Sequence, residues 1–274
     1  MPTQNHEQRH RCAGCLRERP LRNSHLLPKF VYKRVKGDQN APVIHRGGVA
    51  FLSNDQETQP LLCNDCEQRL NRMGERYAST VLYEKGGDCP LFKLLGYTSR
   101  TEPLVDGVFF ERRAPVVRGA GRLNVDALTH FALGIFWKCA VTKGAAFSFG
   151  PRTEELRQYL FDGAPLGRGI YLLLEVLDLP RATGSDGDLL ALPLASTARF
   201  PWVVRDDGKP YSEVRLFVCG LEFALLLGNP PRNLRMRTLF GYSIRKVWFI
   251  SPWPSLAGTQ ERAKSDKPRG KLTR

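Results

Sequence analysis

No stretch of this sequence is apolar for anything near the ~20 residues that a membrane-crossing helix requires, so no helical span is expected. The sequence also lacks a Walker loop, the glycine fingerprint of dinucleotide-binding folds and the Gly-x-Ser-x-Gly elbow of serine hydrolases. Three common signatures of enzymatic chemistry are therefore missing. No internal repeat is present, which sets aside solenoids and propellers. Acidic residues are in deficit, with 27 Asp and Glu against 41 Lys and Arg in 274 residues, and the resulting net charge of +14 favours a polyanionic partner. The plain alternative is a basic protein that is merely soluble. The opening MPTQNHEQRHRC is polar and has no apolar signal core, so an intracellular, cytoplasmic protein is expected. Thiols stay reduced there, and the seven cysteines read as ligands or buried apolar groups before they read as disulfides.

The length allows one large domain or two modest ones. Composition separates three regions. Residues 1–88 hold four of the seven cysteines and four of the five histidines, and end at a turn-forming Gly86-Gly87-Asp88. Residues 89–257 read as an ordinary mixed core whose role the sequence leaves open. Residues 258–274 contain six basic residues and no aromatic one, the composition of a basic disordered tail. Within the middle region, Asn124 precedes Val125, Leu128, Phe131, Ala132, Ile135 and Cys139, a recurrence that predicts a capped amphipathic helix. A second helix is expected over 151–161, with Pro151 at its start and Glu154 and Glu155 at the positive end of its dipole. Apolar stretches at 170–177, 189–194, 214–219, 221–227 and 247–250 read as strands, with Arg205 to Lys209 as a turn. The fold class is α+β, a small N-terminal zinc module followed by a larger mixed α/β-sheet domain.

Cys12-Ala13-Gly14-Cys15 and Cys63-Asn64-Asp65-Cys66 carry the chemistry that can be read most directly. Two Cys-x-x-Cys pairs can each bite one borderline-soft ion in tetrahedral geometry, which makes a structural Zn2+ the expected cofactor. The flanking residues are polar and unsuited to bury lone thiols, and a redox pair would not need its duplicate. The gap between the pairs far exceeds the roughly 15 to 20 residues of a simple ribbon. The insert opens with Leu21-Arg22-Asn23-Ser24-His25-Leu26-Leu27-Pro28, continues through Val43-Ile44-His45 and Val49 to Leu52, and returns at Leu61-Leu62-Cys63, where a helix is expected to start.

A Cys-x-x-Cys, a Ser-His-aliphatic-aliphatic-Pro and a Leu-Cys-x-x-Cys opening a helix together resemble the zinc-stapled branch of the HNH endonucleases, built on a treble clef with a ββα-metal arrangement. Lys29-Phe30-Val31-Tyr32, Glu67 and the stretch Phe131 to Lys138 are similar to a branch of bacterial HNH-like proteins. The likeness covers 12–77 well and 124–160 loosely. It implies a metal-dependent phosphodiesterase acting on double-stranded DNA, with defence against foreign DNA as one setting. His25 would be the general base on water, and side chains beside it and on the following helix would hold Mg2+ or Mn2+ at the phosphate.

The sequence departs from that pattern in the cation ligands. The position before the base is Ser24, a weak ligand, and the helix positions are Glu67 and Asn71, with Glu75 one turn further on the same face. A finger that kept its cysteines while losing those ligands would be a nucleic-acid- or protein-binding module, the alternative to an enzyme. His25 could equally be a buried histidine satisfied by backbone, and Glu67 and Glu75 could pair in solvent with Arg69, Arg72 or Arg76. Lys29, Lys33, Arg34 and Lys36 follow the histidine, and the three lysines would share one helical face that could track a phosphate backbone or simply be solvated. His6 and His10 precede the first knuckle and could replace a cysteine in the zinc shell, though with four cysteines available they read as disordered residues, and His45 reads as a surface residue as readily as a neighbour of His25. His130, Cys89, Cys139 and Cys219 read as packing groups. A ring-type module with eight ligands cannot be assembled from the spacings present.

Overall fold

The architecture was derived from a computed structural model. It describes residues 10–36, 43–46, 49–52, 56–83, 90–91, 95–103, 109–117, 124–145, 147–177, 198–205, 208–218, 221–235 and 248–250. The turn expected at 86–88, the strand expected at 189–194, the basic tail, His6, Cys89 and Cys219 lie outside those residues. The chain combines helices with sheets, as an α+β protein does, and carries its four-cysteine cluster near the N-terminus. Among the described residues, no helix is long and apolar enough to cross a membrane.

The N-terminal part begins with a short ladder between β1 (His10–Arg11) and β2 (Glu18–Arg19). β3 (Leu21–His25) pairs antiparallel with β6 (Thr58–Cys63), from Leu21 opposite Cys63 to His25 opposite Thr58, with an irregularity between Arg22 and Asn23. Between them lie α1 (Lys29–Lys36) and a hairpin of β4 (Val43–Arg46) and β5 (Val49–Leu52). Leu61, Leu62 and Cys63 are the last residues of strand β6, and the helix starts one residue later, at Asn64. α2 (Asn64–Leu70) runs through a π-helical turn (Asn71–Glu75) into α3 (Arg76–Leu82).

A hairpin of β7 (Leu95–Pro103) and β8 (Phe109–Val117) leads to α4 (Val125–Val141), the helix anticipated from its Asn cap. The Asn124 side chain accepts a hydrogen bond from the Ala127 N–H at 2.9 Å, satisfying one of the free donors of the first turn. The helix is not amphipathic. Every residue from Ala127 to Cys139 is buried, so α4 is a central rod covered on all sides. α5 (Arg152–Arg157) continues into a second π-helical turn (Gln158–Asp162), which closes at Gly163 in a left-handed conformation.

The C-terminal part is a five-stranded sheet in the order β10-β11-β12-β9-β13, formed by β9 (Ile170–Leu177), β10 (Ala198–Arg205), β11 (Tyr211–Val218), β12 (Leu221–Gly228) and β13 (Trp248–Ile250). Only β13 pairs in parallel, along β9, among the described strands. α6 (Arg232–Arg235) follows β12. Side chains alternate across the sheet. Leu172, Leu174, Val214, Leu216, Phe223 and Leu225 face the main core, where the Phe223 ring meets Phe131 of α4 at 6.0 Å. The other face carries a smaller cluster of Leu173, Tyr211, Ala224 and Leu226, flanked by Arg215 with Glu213 at 2.7 Å and Glu222 at 3.0 Å.

One continuous core joins these parts, running from Cys12 and Leu62 through Leu128 and Phe136 to Leu225. The π-helical turn Asn71–Glu75 and α4 cross closely at Gly74, where a Cβ would lie 2.5 Å from the Phe131 backbone nitrogen. Only glycine permits that approach.

Candidate metal centre and adjoining cavity

The first Cys-x-x-Cys pair sits on a tight turn closed by two backbone hydrogen bonds, Cys12 N–H to Arg17 O and Leu16 N–H to Cys12 O, both 2.9 Å. Leu16 takes a positive φ of 62° to complete it. The second pair uses the strand-to-helix junction, with Cys63 ending β6 and Cys66 one helical turn on. The Ala13 N–H bonds Leu61 O at 3.0 Å and brings the two knuckles together. Gly14 makes the contact close, because a Cβ there would lie 3.0 Å from Cys66 Sγ and would press the neighbouring side chains back by a few tenths of an ångström.

All four sulfurs of Cys12, Cys15, Cys63 and Cys66 lie within 4.8 Å of one another. Cys15 Sγ and Cys63 Sγ are 3.8 Å apart, close to the edge of about 3.8 Å that a tetrahedron of Zn–S bonds of about 2.3 Å demands. The Cys63 N–H donates to Cys12 Sγ at 3.2 Å. Hydrogen bonds from Cys66 and from the surrounding backbone hold the Cys12 thiol down at about 4, while Cys12 and burial push Cys66 up and burial pushes Cys63 up. Four sulfurs converging in one spot, three of them buried, are the donor set that a borderline-soft cation takes in tetrahedral geometry. This donor set could hold a metal ion such as zinc.

Beside the centre lies a cavity of about 350 Å³ lined by His25, Lys29, Glu67, Asn71, Glu75 and Lys138, among others. His25 ends β3, and Glu67 and Asn71 lie one turn apart on the helix that Cys66 anchors. His25 is held below its ordinary pKa, first by partial burial and then by Lys29, so its neutral imidazole is favoured. Its ring meets Tyr32 edge-on at 6.4 Å. Burial raises the Glu67 carboxyl, opposed by a hydrogen bond from Ser24 and by the charge of Lys138. Glu67 Oε1 is buried with no protein hydrogen-bond partner, an acceptor left over for a ligand or cation.

Ser24 does not line this cavity. It is 1% exposed, and its hydroxyl accepts from the Leu62 N–H at 3.2 Å while reaching Glu67. The hydroxyl also lies 3.5 Å from Arg22 O, to which it donates. Lys29 lines the cavity and Lys33 is exposed on α1. Arg34 is 7% exposed and turns into the protein rather than joining a solvent face. The Lys36 side chain lies outside what is described. His10 is exposed on β1, and the His45 side chain is not among those described.

Lys138 was not expected. It is 1% exposed in the last turn of α4, and its ammonium donates to His25 O at 2.8 Å and to Glu75 Oε1 at 3.0 Å. The available signal was a single lysine inside an otherwise apolar run, Phe131 to Cys139. Glu75 is consequently paired with this buried amine instead of with Arg72 or Arg76 in solvent. His130 is a packing group as expected, with Nε2 3.4 Å from Leu160 O and Nδ1 unpartnered. The sequence matches no family model, no curated protein and no solved structure.

Proposed function

We propose that this chain is a metal-dependent endonuclease of the HNH type, with residues 12–77 forming a zinc-stapled treble clef. One observation carries the reading: His25, Glu67 and Asn71 come from a strand end and a helix over 40 residues apart in sequence, yet line one cavity beside four clustered cysteines. The His25 imidazole, favoured in its neutral form, takes a proton from the attacking water. Glu67, with its unpartnered Oε1, and Asn71 offer oxygen ligands of the kind that a hard divalent cation takes. Such a cation, Mg2+ or Mn2+, would offset charge developing on the scissile phosphate. Lys29 and Lys33 would meet the backbone of double-stranded DNA, and the net charge of +14 would draw it in. Foreign DNA is one substrate that such an activity would suit.

The test is conversion of supercoiled plasmid to nicked circles with Mg2+, Mn2+ or Ni2+. The wild type is expected to nick and His25→Ala to lose the activity. A second reading, a silent binding module on the same staple, is favoured by the burial of Ser24 away from the cavity. Retardation of DNA without cutting under any of the three metals would replace the first reading with the second.

A further inference from the structure

We infer that Lys138 is a phosphate-binding residue, offering its remaining N–H to a non-bridging oxygen of a DNA backbone phosphate seated in the cavity. The identity of the ligand rests on the nucleic-acid reading above. The geometry comes from Lys138 itself. A lysine ammonium has three N–H donors, and two are taken, by His25 O at 2.8 Å and Glu75 Oε1 at 3.0 Å. Among the described residues nothing accepts the third. The residue is 1% exposed and yet lines the cavity wall.

Burying an ammonium is costly before any pairing is counted, and the thirteen buried residues from Ala127 to Cys139 include no other cationic side chain. A neutral donor at this position would pin α4 to the His25 carbonyl at lower cost. What the lysine adds is a fixed positive charge at the cavity wall. That charge matters because Glu67 and Glu75 line the same space and would repel a phosphate if nothing offset them. Lys29 is exposed and loses rotamer freedom on binding, whereas Lys138 is already held by two partners and loses almost none. The same ammonium bonds the backbone of His25, so a phosphate on its third N–H lies beside the proposed base.

The experiment measures binding of a fluorescein-labelled 20-base-pair duplex by the full chain, in buffer with no added divalent cation, across a salt series. Each phosphate contact on B-form DNA contributes about 0.9 to the slope of log K against log salt. Lys138→Met is expected to lower the slope by about 0.9, and a purely structural role would leave it unchanged. Because the single variant leaves Glu75 unpaired and could unfold, Glu75→Gln is compared with Glu75→Gln/Lys138→Gln, a pair differing only in the ammonium. The first of that pair should keep the full slope and the second lose about 0.9 of it. Equal slopes in both comparisons, or no duplex binding at all, overturn the inference. Plasmid nicking by the wild type separates this result from the parent reading: nicking with equal slopes sinks Lys138 alone, and a reduced slope without nicking sinks the nuclease alone.

Discussion

Arg157 donates through Nη1 to the carbonyl oxygen of Gly14 at 2.8 Å, bridging 143 positions of sequence to hold the first cysteine knuckle from outside. The guanidinium is itself oriented by Glu154 and Asp162, each at 2.7 Å from Nη2. Those carboxylates are about half exposed and contribute orientation more than energy. The bond to the buried carbonyl is different, since a hydrogen bond involving a charged donor is worth about 1.5–3 kcal/mol. Arg157→Met should therefore lower unfolding free energy by that amount in urea melts, and should speed loss of the bound metal to a chelator. Unchanged release kinetics would show that the knuckle does not depend on this clamp.

The cysteine centre should bind one zinc per chain, measured by elemental analysis of the purified protein. Cys12→Ser is the most informative variant, because Cys12 collects the hydrogen bonds from Cys66 and from the Cys63 N–H. It should abolish stoichiometric zinc and lower the melting temperature, as should a strong chelator acting on the wild type. A wild type that melts identically with and without chelator would remove the metal from the fold.

Gly74→Ala tests the crossing of the π-helical turn Asn71–Glu75 over α4. The added Cβ would meet the Phe131 nitrogen at 2.5 Å and its Cα at 2.8 Å, both backbone atoms that no rotamer change can move aside. A loss of about 1–3 kcal/mol or more is expected, despite the better helix propensity of alanine. Because Glu75 follows directly, the displaced helix should also weaken the Glu75–Lys138 pair. A neutral substitution would mean that the two helices slide freely.

The sequence announced some of these features and concealed others for physical reasons. Local signals were legible: the two knuckles, the Asn124 cap, the helix after Pro151 and strands β9, β11 and β12 all depend on neighbours within a few residues. That His25, Glu67 and Asn71 would line one cavity was legible only through the resemblance to the HNH endonucleases, because no local signal joins a strand end to a helix over 40 residues away. Lys138 and the Arg157 clamp were not legible, because each acts on a carbonyl more than a hundred residues away and nothing local marks the contact. Arg34 shows the reverse error. Its neighbours Lys33 and Lys36 made a basic run, but α1 is short and rotates position 34 toward the core, so charge in sequence did not become charge on the surface.

His130 supplies a prediction about acid stability. Burial, and to a lesser degree the charge of Arg69, outweigh the opposing Leu160 carbonyl and Glu75 and hold its pKa down at about 4. In the unfolded chain the imidazole titrates near 6.5. Between about pH 6.5 and 4 the unfolded state therefore binds a proton that the native state refuses, so stability rises with pH across that window and falls as the solution is acidified. The gap between about 6.5 in the unfolded chain and about 4 in the folded one corresponds to about 3 kcal/mol lost by pH 4, and at lower pH the loss stops growing as both states become protonated. His130→Leu removes the titration while keeping an apolar side chain against Tyr159, whose ring lies 5.9 Å from that of His130. Urea melts of both proteins at pH 7.5 and pH 4.5 should show the wild type losing about 2–3 kcal/mol more than the variant on acidification. Carboxylates elsewhere titrate alike in both proteins and cancel in the comparison. Parallel losses would mean that His130 accepts its proton without unfolding the contact, which its unpartnered Nδ1 could permit only if that nitrogen reached solvent or a carboxylate by local rearrangement.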